Sequence, residues 1–208
     1  MEDQAQLSAF ALNCSLKSSD SGEQSSTEKM ISDLFQALAK HGVSGSMERA
    51  ADFNIVPGVS SDEGDGDEWP TLREKVLAAD IFILATPIWL GQPSSIAKRV
   101  VERMDAFLSE TDDDGQMPAA GKVAIVAVVG NEDGAHHCHA AMFQALNDVG
   151  FTIAANAGVY WVGEAMGSVD YVDLDAIPEK VQSTLDMAAT NAAHLARLLA
   201  AGKYPPLD

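Results

Sequence analysis

The segment 80–108 contains an apolar run, a loop and a helical pattern in succession, and it constrains the fold more than any other part of the sequence. Residues 81–85 are apolar throughout, which is typical of a strand buried on both faces of a parallel sheet. Residues 86–95 carry a tryptophan, two prolines and a glycine. Beyond them, apolar residues recur at helical spacing with charged residues between them, which predicts an amphipathic helix. In an open α/β sheet, ligands bind in loops at the carboxyl ends of the strands.

The rest of the chain repeats this alternation of strand and helix patterns. Strands are predicted at 7–13, 47–56, 80–85, 122–129 and 151–162, and helices at 25–41, 69–79, 96–107, 135–149 and 177–199. Such alternation gives a parallel sheet with helices on both faces. We expect a single domain over residues 1–208, with a flavodoxin-like three-layer α/β sandwich and a five-stranded sheet of order 2-1-3-4-5. A Rossmann domain is the other candidate, but the GxGxxG that it expects after the first strand is absent.

The charge balance narrows the range of partners. The net charge is -18, from 31 acidic and 13 basic residues, which argues against binding to nucleic-acid phosphates and to anionic membranes. The charge either favours solubility, for example in a high-salt cytoplasm, or steers a basic protein partner. No apolar run is long enough for a membrane-spanning helix, and Met1–Gln4 lacks the features of a signal peptide. We therefore expect a cytoplasmic protein without membrane partners.

Three loops are expected to meet at the carboxyl edge of the sheet, and each has the composition of a binding loop. The first offers hydroxyls and backbone amides at a helix start, which suits a monophosphate, whereas the GxxxxGK[ST] loop for a triphosphate is absent. The second offers an apolar, aromatic wall for a flat heteroaromatic ring, and the third can close over the other side of the ring. The candidate residues are Ser15, Lys17, Ser25, Ser26 and Thr27 in the first loop, Pro87, Ile88, Trp89, Leu90, Gly91 and Gln92 in the second, and Asn131, Glu132, Asp133 and Gly134 in the third.

The second loop, Thr86-Pro87-Ile88-Trp89-Leu90-Gly91-Gln92-Pro93-Ser94-Ser95, resembles the flavin-ring loop of the NADPH-dependent FMN reductase family in the flavodoxin-like superfamily. The resemblance extends to the first loop and covers about residues 7–162. It implies FMN, two-electron transfer from a nicotinamide and often a dimer or tetramer. The first loop departs from the family pattern because it is longer and has Lys17 where many relatives have arginine. The third departs because Glu132 and Asp133 add charge near the ring.

Metal sites and redox-active cysteines are not predicted. Cys14 and Cys138 form no CxxC, so we expect reduced thiols and no iron–sulfur cluster. The acidic segment 62–68 is predicted to be a linker without core residues, and it lacks the spacing and the closing glutamate of a calcium loop. His136 and His139 are three residues apart and could share a metal, but we favour a role for His136 or His137 at the edge of the flavin or its substrate.

The leading hypothesis is an FMN-dependent NAD(P)H oxidoreductase that passes electrons to a small acceptor such as a quinone or a flavin. We expect a homodimer or homotetramer and no catalytic side chain, because the flavin carries the chemistry. The alternative is a flavodoxin-like electron carrier that docks on a protein partner, which the acidic surface would suit. A flavin-free binding module with the same fold is the third possibility. The acceptor and the choice between NADH and NADPH are left open.

Overall fold

The computed structural model describes residues 6–202 and 204–206, so the expectation drawn from Met1–Gln4 lies outside the described residues. The strands are β1 (Leu7–Asn13), β2 (Val43–Arg49), β3 (Ile81–Trp89), β4 (Gln92–Pro93), β5 (Val123–Gly130) and β6 (Thr152–Val162). The α-helices are α1 (Ser26–Ala39), α2 (Trp69–Ala78), α3 (Ser95–Arg103), α4 (Ala135–Asp148) and α5 (Glu179–Ala201). Short 3-10 turns lie at Ser19–Ser21, Ala50–Asp52, Met104–Ser109 and Tyr171–Asp173.

The five long strands form one parallel sheet in the order β2-β1-β3-β5-β6. With the two-residue strand β4 set aside, this is the predicted order 2-1-3-4-5, so the flavodoxin-like fold is confirmed. β4 is an addition that the sequence did not predict. It pairs antiparallel with the end of β3, where Ile88 lies opposite Pro93 and Trp89 opposite Gln92.

Helices cover both faces of the sheet and bury two apolar clusters. On one face, α1 and α5 contribute residues such as Met30, Leu34 and Leu185. On the other face, α2, α3 and α4 contribute residues such as Trp69 and Met142. The central strands β3 and β5 are buried over nearly their whole length, as continuous apolar runs in a parallel sheet require. The loops at the carboxyl edge therefore stand on a rigid support. Among the described helices, none combines the length and the apolar character needed to cross a membrane.

Two predicted strand boundaries were wrong. The second strand lies at Val43–Arg49 rather than 47–56, because polar residues 44–46 are drawn into an edge strand by pairing with β1. Gly45 allows the Phe35 ring to pack directly on this strand, since a Cβ there would clash with the ring. The third strand continues past Ala85 through Trp89, where β4 and β5 supply its hydrogen-bonding partners.

The acidic segment 62–68 contains a core residue, contrary to its interpretation as a linker without one. Asp67 and Arg103 form an ion pair whose side chains are both 0% exposed. The Arg103 guanidinium donates to both Asp67 oxygens, at 2.9 and 2.7 Å, and to the carbonyls of Val56 and Ser60. Arg103 thereby fastens the long connection between β2 and α2 to helix α3.

Candidate functional site

A cleft with a volume of about 450 Å³ opens at the carboxyl edge of the sheet. The loops after β1, β3 and β5 line it, as the sequence predicted, and the segment after β6 forms a fourth wall. The predicted residues that line the cleft are Ser15, Lys17, Ser25, Ser26, Thr27, Pro87, Ile88, Trp89, Leu90, Asn131 and Glu132. The predicted residues that are not part of its lining are Gly91, Gln92, Asp133, Gly134 and His136.

One end of the cleft is formed by the start of helix α1. The Ser25 hydroxyl caps the helix by accepting the backbone N–H of Glu28 at 3.2 Å. Asn13, fully buried at the end of β1, orients the first loop, because its side-chain oxygen accepts the N–H of Ser15 at 3.0 Å. In the part of the chain that the structure describes, the first-turn N–H groups of Ser26 and Thr27 have no acceptor. A helix start of this kind can hold an anionic group through its free N–H groups and its dipole.

Lys17 is the one cationic residue among the described residues that line the cleft. Its ammonium group lies 3.1 Å from the Glu23 carboxylate and donates to the Gln24 carbonyl at 3.1 Å. Both partners are in the first loop, and the Lys17 and Glu23 side chains are largely exposed. An exposed pair of this kind contributes little to stability, so the Lys17 ammonium is available to an anion bound at the helix start.

The apolar wall of the cleft is a hairpin between β3 and β4. Leu90 and Gly91 occupy its two-residue turn with φ of 52° and 72°, and positive φ at both positions is the requirement of a type I′ turn. Glycine adopts this conformation freely, whereas leucine does so only under strain. The Glu132 carboxylate accepts the N–H groups of both residues, at 2.9 and 3.1 Å, and so fixes the turn from the third loop.

Among the predicted residues outside the lining, Gly91, Gln92 and Gly134 lie at contacts between the hairpin and the chain that follows β5. Gly134 (φ 132°) packs against Gly91 so closely that a Cβ on Gly134 would lie 2.7 Å from the Gly91 Cα. The side chain of Gln92 bonds to the His137 ring at 2.9 Å. His136 is exposed and meets the edge of Tyr160, with 5.3 Å between ring centroids. The contacts of Gly134 with Gly91 and of His137 with Gln92 position the hairpin that lines the cleft, whereas His136 contacts β6.

The fourth wall carries residues that the sequence analysis missed. Trp161 at the end of β6 packs on Tyr171, with 5.5 Å between ring centroids. The Tyr171 hydroxyl donates to Asp33 of helix α1 at 2.7 Å, and burial together with this carboxylate raises the Tyr171 pKa. Met166 and Asp170 complete the wall. The aromatic pair Tyr160-Trp161 at the end of the last strand was the available signal, since the sequence-based site included only the loops after three other strands.

The third loop is also tied to this fourth wall. The Asn131 side chain donates to Asp170 at 2.6 Å, and the Asn131 carbonyl accepts the N–H of Met166 at 3.0 Å. The N–H of Val172 donates to the Ser26 hydroxyl at 3.1 Å, which links the segment to the helix start. The segment is therefore held at both ends of the cleft, and it closes the side that the first three loops leave open.

The buried thiols and the buried histidine behind the cleft are not poised for chemistry. Cys14 and Cys138 are unpaired and buried, and burial raises the pKa of Cys138 to about 11. Burial lowers the pKa of His139, whose ring packs edge-to-face with that of Tyr160. Within residues 6–202 and 204–206, no group of three or more His, Cys, Asp or Glu side chains is arranged to hold a metal ion.

Comparison with known families identifies the chain. The model of a family described as NADPH-dependent FMN reductase matches residues 8–167. The chain belongs to the NADPH-dependent FMN reductase family. This family is one of FMN-dependent oxidoreductases that use a nicotinamide as the reductant. The fold and the chemistry predicted from the second loop are thus confirmed at the level of the family.

Two relatives and one solved structure match most of this chain. The chain is 31% identical over 208 residues to 8-demethyl-8-aminoriboflavin-5'-phosphate synthase of Streptomyces davaonensis, covering 95% of this chain and 80% of that protein. The crystal structure of RosB with the bound intermediate 8-demethyl-8-formylriboflavin-5'-phosphate matches with a TM-score of 0.85 and 32% identity, covering 95% of this chain and 82% of that one. The chain is also 39% identical over 171 residues, or 80% of its length, to the divalent metal cation transporter MntH of Mycobacterium bovis, of which it spans a quarter.

Proposed function

We propose that the cleft binds FMN with its phosphate at the start of α1 and its ring against the β3–β4 hairpin, and that the bound FMN carries electrons from NAD(P)H to a small acceptor such as a quinone or a flavin. The observation that carries this proposal is the division of one cleft into a hydroxyl-rich helix start and an apolar, aromatic wall. Bound FMN supplies the capacity to take two electrons from a nicotinamide and deliver them to an acceptor. The side chains supply binding and orientation.

The first loop supports the phosphate end of the proposal. Free N–H groups at a helix start, neighbouring hydroxyls and a lysine within reach form a donor set that matches a phosphate dianion. The proposed contacts are Ser15, Lys17, Ser25, Ser26 and Thr27. The buried Asn13 holds Ser15 in place, so the phosphate group would meet a preformed loop.

The hairpin and the fourth wall support the ring end. A flat ring of this size needs flat apolar surfaces and a few polar groups at its edge. Pro87, Ile88 and Trp89 provide one surface, and Trp161 provides a second aromatic group in the same cleft. Leu90 lines the mouth of the cleft beside this surface, with its side chain 90% exposed. Asn131 and Glu132 supply the polar edge. Gly91, Gln92 and Gly134 would act by holding the loops together, and a direct role for Asp133 or His136 remains a prediction.

The assembly and the location are further parts of the proposal. The family resemblance supports a homodimer or homotetramer. Length and composition support a single cytoplasmic domain over residues 1–208. Sedimentation of the FMN-loaded protein measures its oligomeric state directly. A mass equal to that of one chain would contradict an oligomer without affecting the flavin site.

The first test is an anaerobic absorption spectrum of the purified protein after addition of FMN. We expect flavin bands that are bleached in one two-electron step by NADPH or NADH. Bands that persist until dithionite is added would favour the electron carrier, whose acidic surface suits docking on a basic protein. A protein that takes up no FMN would exclude both functions.

The phosphate contacts are tested by comparing FMN with riboflavin, which lacks the phosphate. Thr27→Val removes a hydroxyl at the helix start, and we expect FMN to bind about tenfold more weakly, since a hydrogen bond to a charged group contributes roughly 1.5 kcal/mol or more. Riboflavin affinity should hardly change. Thr184→Val, on the exposed side of α5, is the matched control. An equal loss for both ligands would contradict phosphate binding at this site.

A second function is favoured by one relative. The 8-demethyl-8-aminoriboflavin-5'-phosphate synthase aligns with 95% of this chain, so a reaction in which the flavin phosphate is the substrate is a specific alternative. Mass spectrometry of the flavin recovered after turnover distinguishes a reductase from an enzyme that changes the flavin itself. An unchanged FMN mass supports the reductase, and a changed flavin ring supports the synthase-like reaction.

A further inference from the structure

Two large apolar residues at the mouth of the cleft stand in left-handed backbone conformation with their side chains almost fully exposed. Leu90 has φ 52° and is 90% exposed, and Met166 has φ 63° and is 96% exposed. A left-handed backbone conformation is unfavourable for both residue types. Because the two side chains are exposed, they also do not contribute the free energy that burial of an apolar side chain would give. The other non-glycine residue with positive φ in the described part of the chain is Asn156, a type that tolerates it. Stability does not explain leucine and methionine at these positions.

Consecutive residues of the third loop hold both backbones in place. The Leu90 N–H donates to the Glu132 carboxylate at 2.9 Å, and the Met166 N–H donates to the Asn131 carbonyl at 3.0 Å. The two apolar side chains come from loops far apart in the sequence, yet they line the same cleft. Strain that is maintained by surrounding contacts at a ligand site indicates a role in binding.

The charges around these side chains restrict the ligand. Glu132 and Asp170 line the same cleft, and the cation Lys17 lies in the first loop beside Glu23. A negatively charged group at the mouth would meet two carboxylates and, among the described lining residues, no cation outside the phosphate end. The surface therefore suits an apolar molecule that is neutral or positively charged.

We propose that Leu90 and Met166 contact the electron acceptor and select an apolar ring compound without negative charge. The inference rests on the proposed function, since it places the acceptor over FMN bound in the cleft. With a neutral quinone the reaction balances: the nicotinamide gives up two electrons and one proton, the quinone takes up two electrons and two protons, and water supplies the second proton. Leu90 and Met166 take no part in the electron transfer and act by binding the ring.

The test uses Leu90→Asn and Met166→Asn in the FMN-loaded protein. Asparagine tolerates left-handed backbone, so both variants keep the turn and should unfold at the same or a higher temperature. We expect kcat/KM for a neutral naphthoquinone to fall about tenfold through KM, while the dissociation constant of FMN changes less than about threefold. A sulfonated naphthoquinone should be a poor acceptor for wild type and variants alike.

Two control variants separate binding from exposure and from strain. Leu198→Gln replaces an exposed leucine on α5, far along the chain from the cleft loops, and should leave quinone kinetics unchanged. Asn156→Leu places leucine at a left-handed position outside the cleft lining and should lower stability without changing the KM for the quinone.

The possible failures are distinguishable. Absence of bleaching by either nicotinamide would overturn the proposed function itself. Bleaching with wild-type quinone kinetics in both variants, or equal use of the sulfonated quinone, would overturn the inference and leave the function standing. Conversion of a wild-type oligomer to monomers by both variants would assign the two side chains to contact between copies, and would also overturn it.

Discussion

Glu132 caps the turn that carries Leu90. One carboxylate oxygen lies 2.9 Å from the Leu90 backbone nitrogen and the other lies 3.1 Å from that of Gly91. A single side chain of the third loop thereby fixes a leucine in left-handed conformation at the end of the second loop. The shape of the proposed ring site thus depends on a contact between two loops, not on the β3–β4 hairpin alone.

Replacement of Glu132 by glutamine should loosen this turn and weaken FMN binding. The amide keeps one acceptor oxygen but loses the charge and the second acceptor, and hydrogen bonds to charged groups contribute roughly 1.5–3 kcal/mol. Because the site is partly exposed, we expect the lower end of this range, which corresponds to about tenfold weaker FMN binding in a fluorescence titration. Glu164→Gln removes an exposed acid that follows β6 but is not part of the cleft lining, and it should have little effect. Equal FMN affinities for Glu132→Gln and wild type would show that the turn is stable without the carboxylate.

The acidic character of the protein should appear in the salt dependence of its reductants. NADPH carries a phosphate that NADH lacks, and it approaches a chain of net charge -18 whose cleft lining includes Glu132 and Asp170. Salt screens such repulsion over about 10 Å at 0.1 M. We expect kcat/KM for NADPH to rise with ionic strength and its ratio to that for NADH to increase about two- to fivefold between low and physiological salt. A ratio that falls with salt would instead indicate a basic site for the additional phosphate.

The sequence predicted those parts of the fold that local pattern determines. The buried strand β5, the Ser25 cap and the strand order follow from an apolar run, a hydroxyl before a helix and the alternation of elements. The convergence of three loops follows from the same topology, because the carboxyl ends of parallel strands meet at one edge. These features need no knowledge of distant contacts.

The parts that were missed depend on such contacts. Tyr171 enters the cleft wall because its hydroxyl reaches Asp33, which is distant in sequence. Asp67 is buried because Arg103 on helix α3 pairs with it, and no local pattern distinguishes it from the exposed acids beside it. Val43–Arg49 becomes a strand through pairing with β1 despite its polar composition. In each case the tertiary contact overrides the local propensity.

Breaking the buried ion pair should destabilise the protein strongly. Asp67→Asn leaves the Arg103 guanidinium buried without its counter-charge, and removal of one partner from such a pair costs about 3–5 kcal/mol in the free energy of unfolding. Glu102→Gln breaks the exposed pair with Lys98 on the same helix and should cost no more than about 0.5 kcal/mol. Urea unfolding at neutral pH measures the free energy of unfolding of both variants. Similar small losses for the two variants would show that Asp67 is solvated in solution.

The same pair predicts a pH dependence. Burial alone would raise the Asp67 pKa, but the Arg103 guanidinium and three backbone N–H groups lower it well below its usual value. The Asp67 pKa is lower in the folded state than in the unfolded state, where it is about 4. The ionised Asp67 therefore stabilises the folded state fully above about pH 4, and this stabilisation is lost as the pH falls towards the folded-state pKa. The stability difference between wild type and Asp67→Asn should therefore be constant from about pH 5 to 7 and shrink below pH 4. A constant difference down to pH 3 would contradict this assignment.

Gly134→Ala should separate the second and third loops. A Cβ on Gly134 would lie 2.7 Å from the Gly91 Cα and 2.8 Å from its carbonyl oxygen, and backbone atoms cannot rotate away as a side chain can. The residue also has φ 132°, so the substitution adds backbone strain. Gly64→Ala is the matched control, because Gly64 has φ 96° but no atom within 4 Å of its would-be Cβ, and it carries the strain without the clash. Strain alone costs about 1 kcal/mol in the free energy of unfolding, whereas clash and strain together should cost about 2–4 kcal/mol.

Only Gly134→Ala should also weaken FMN binding, because it displaces the turn that Glu132 fixes. Equal stability losses and unchanged FMN affinity in both variants would mean that the loops adjust independently and that the Gly91–Gly134 contact does not shape the site.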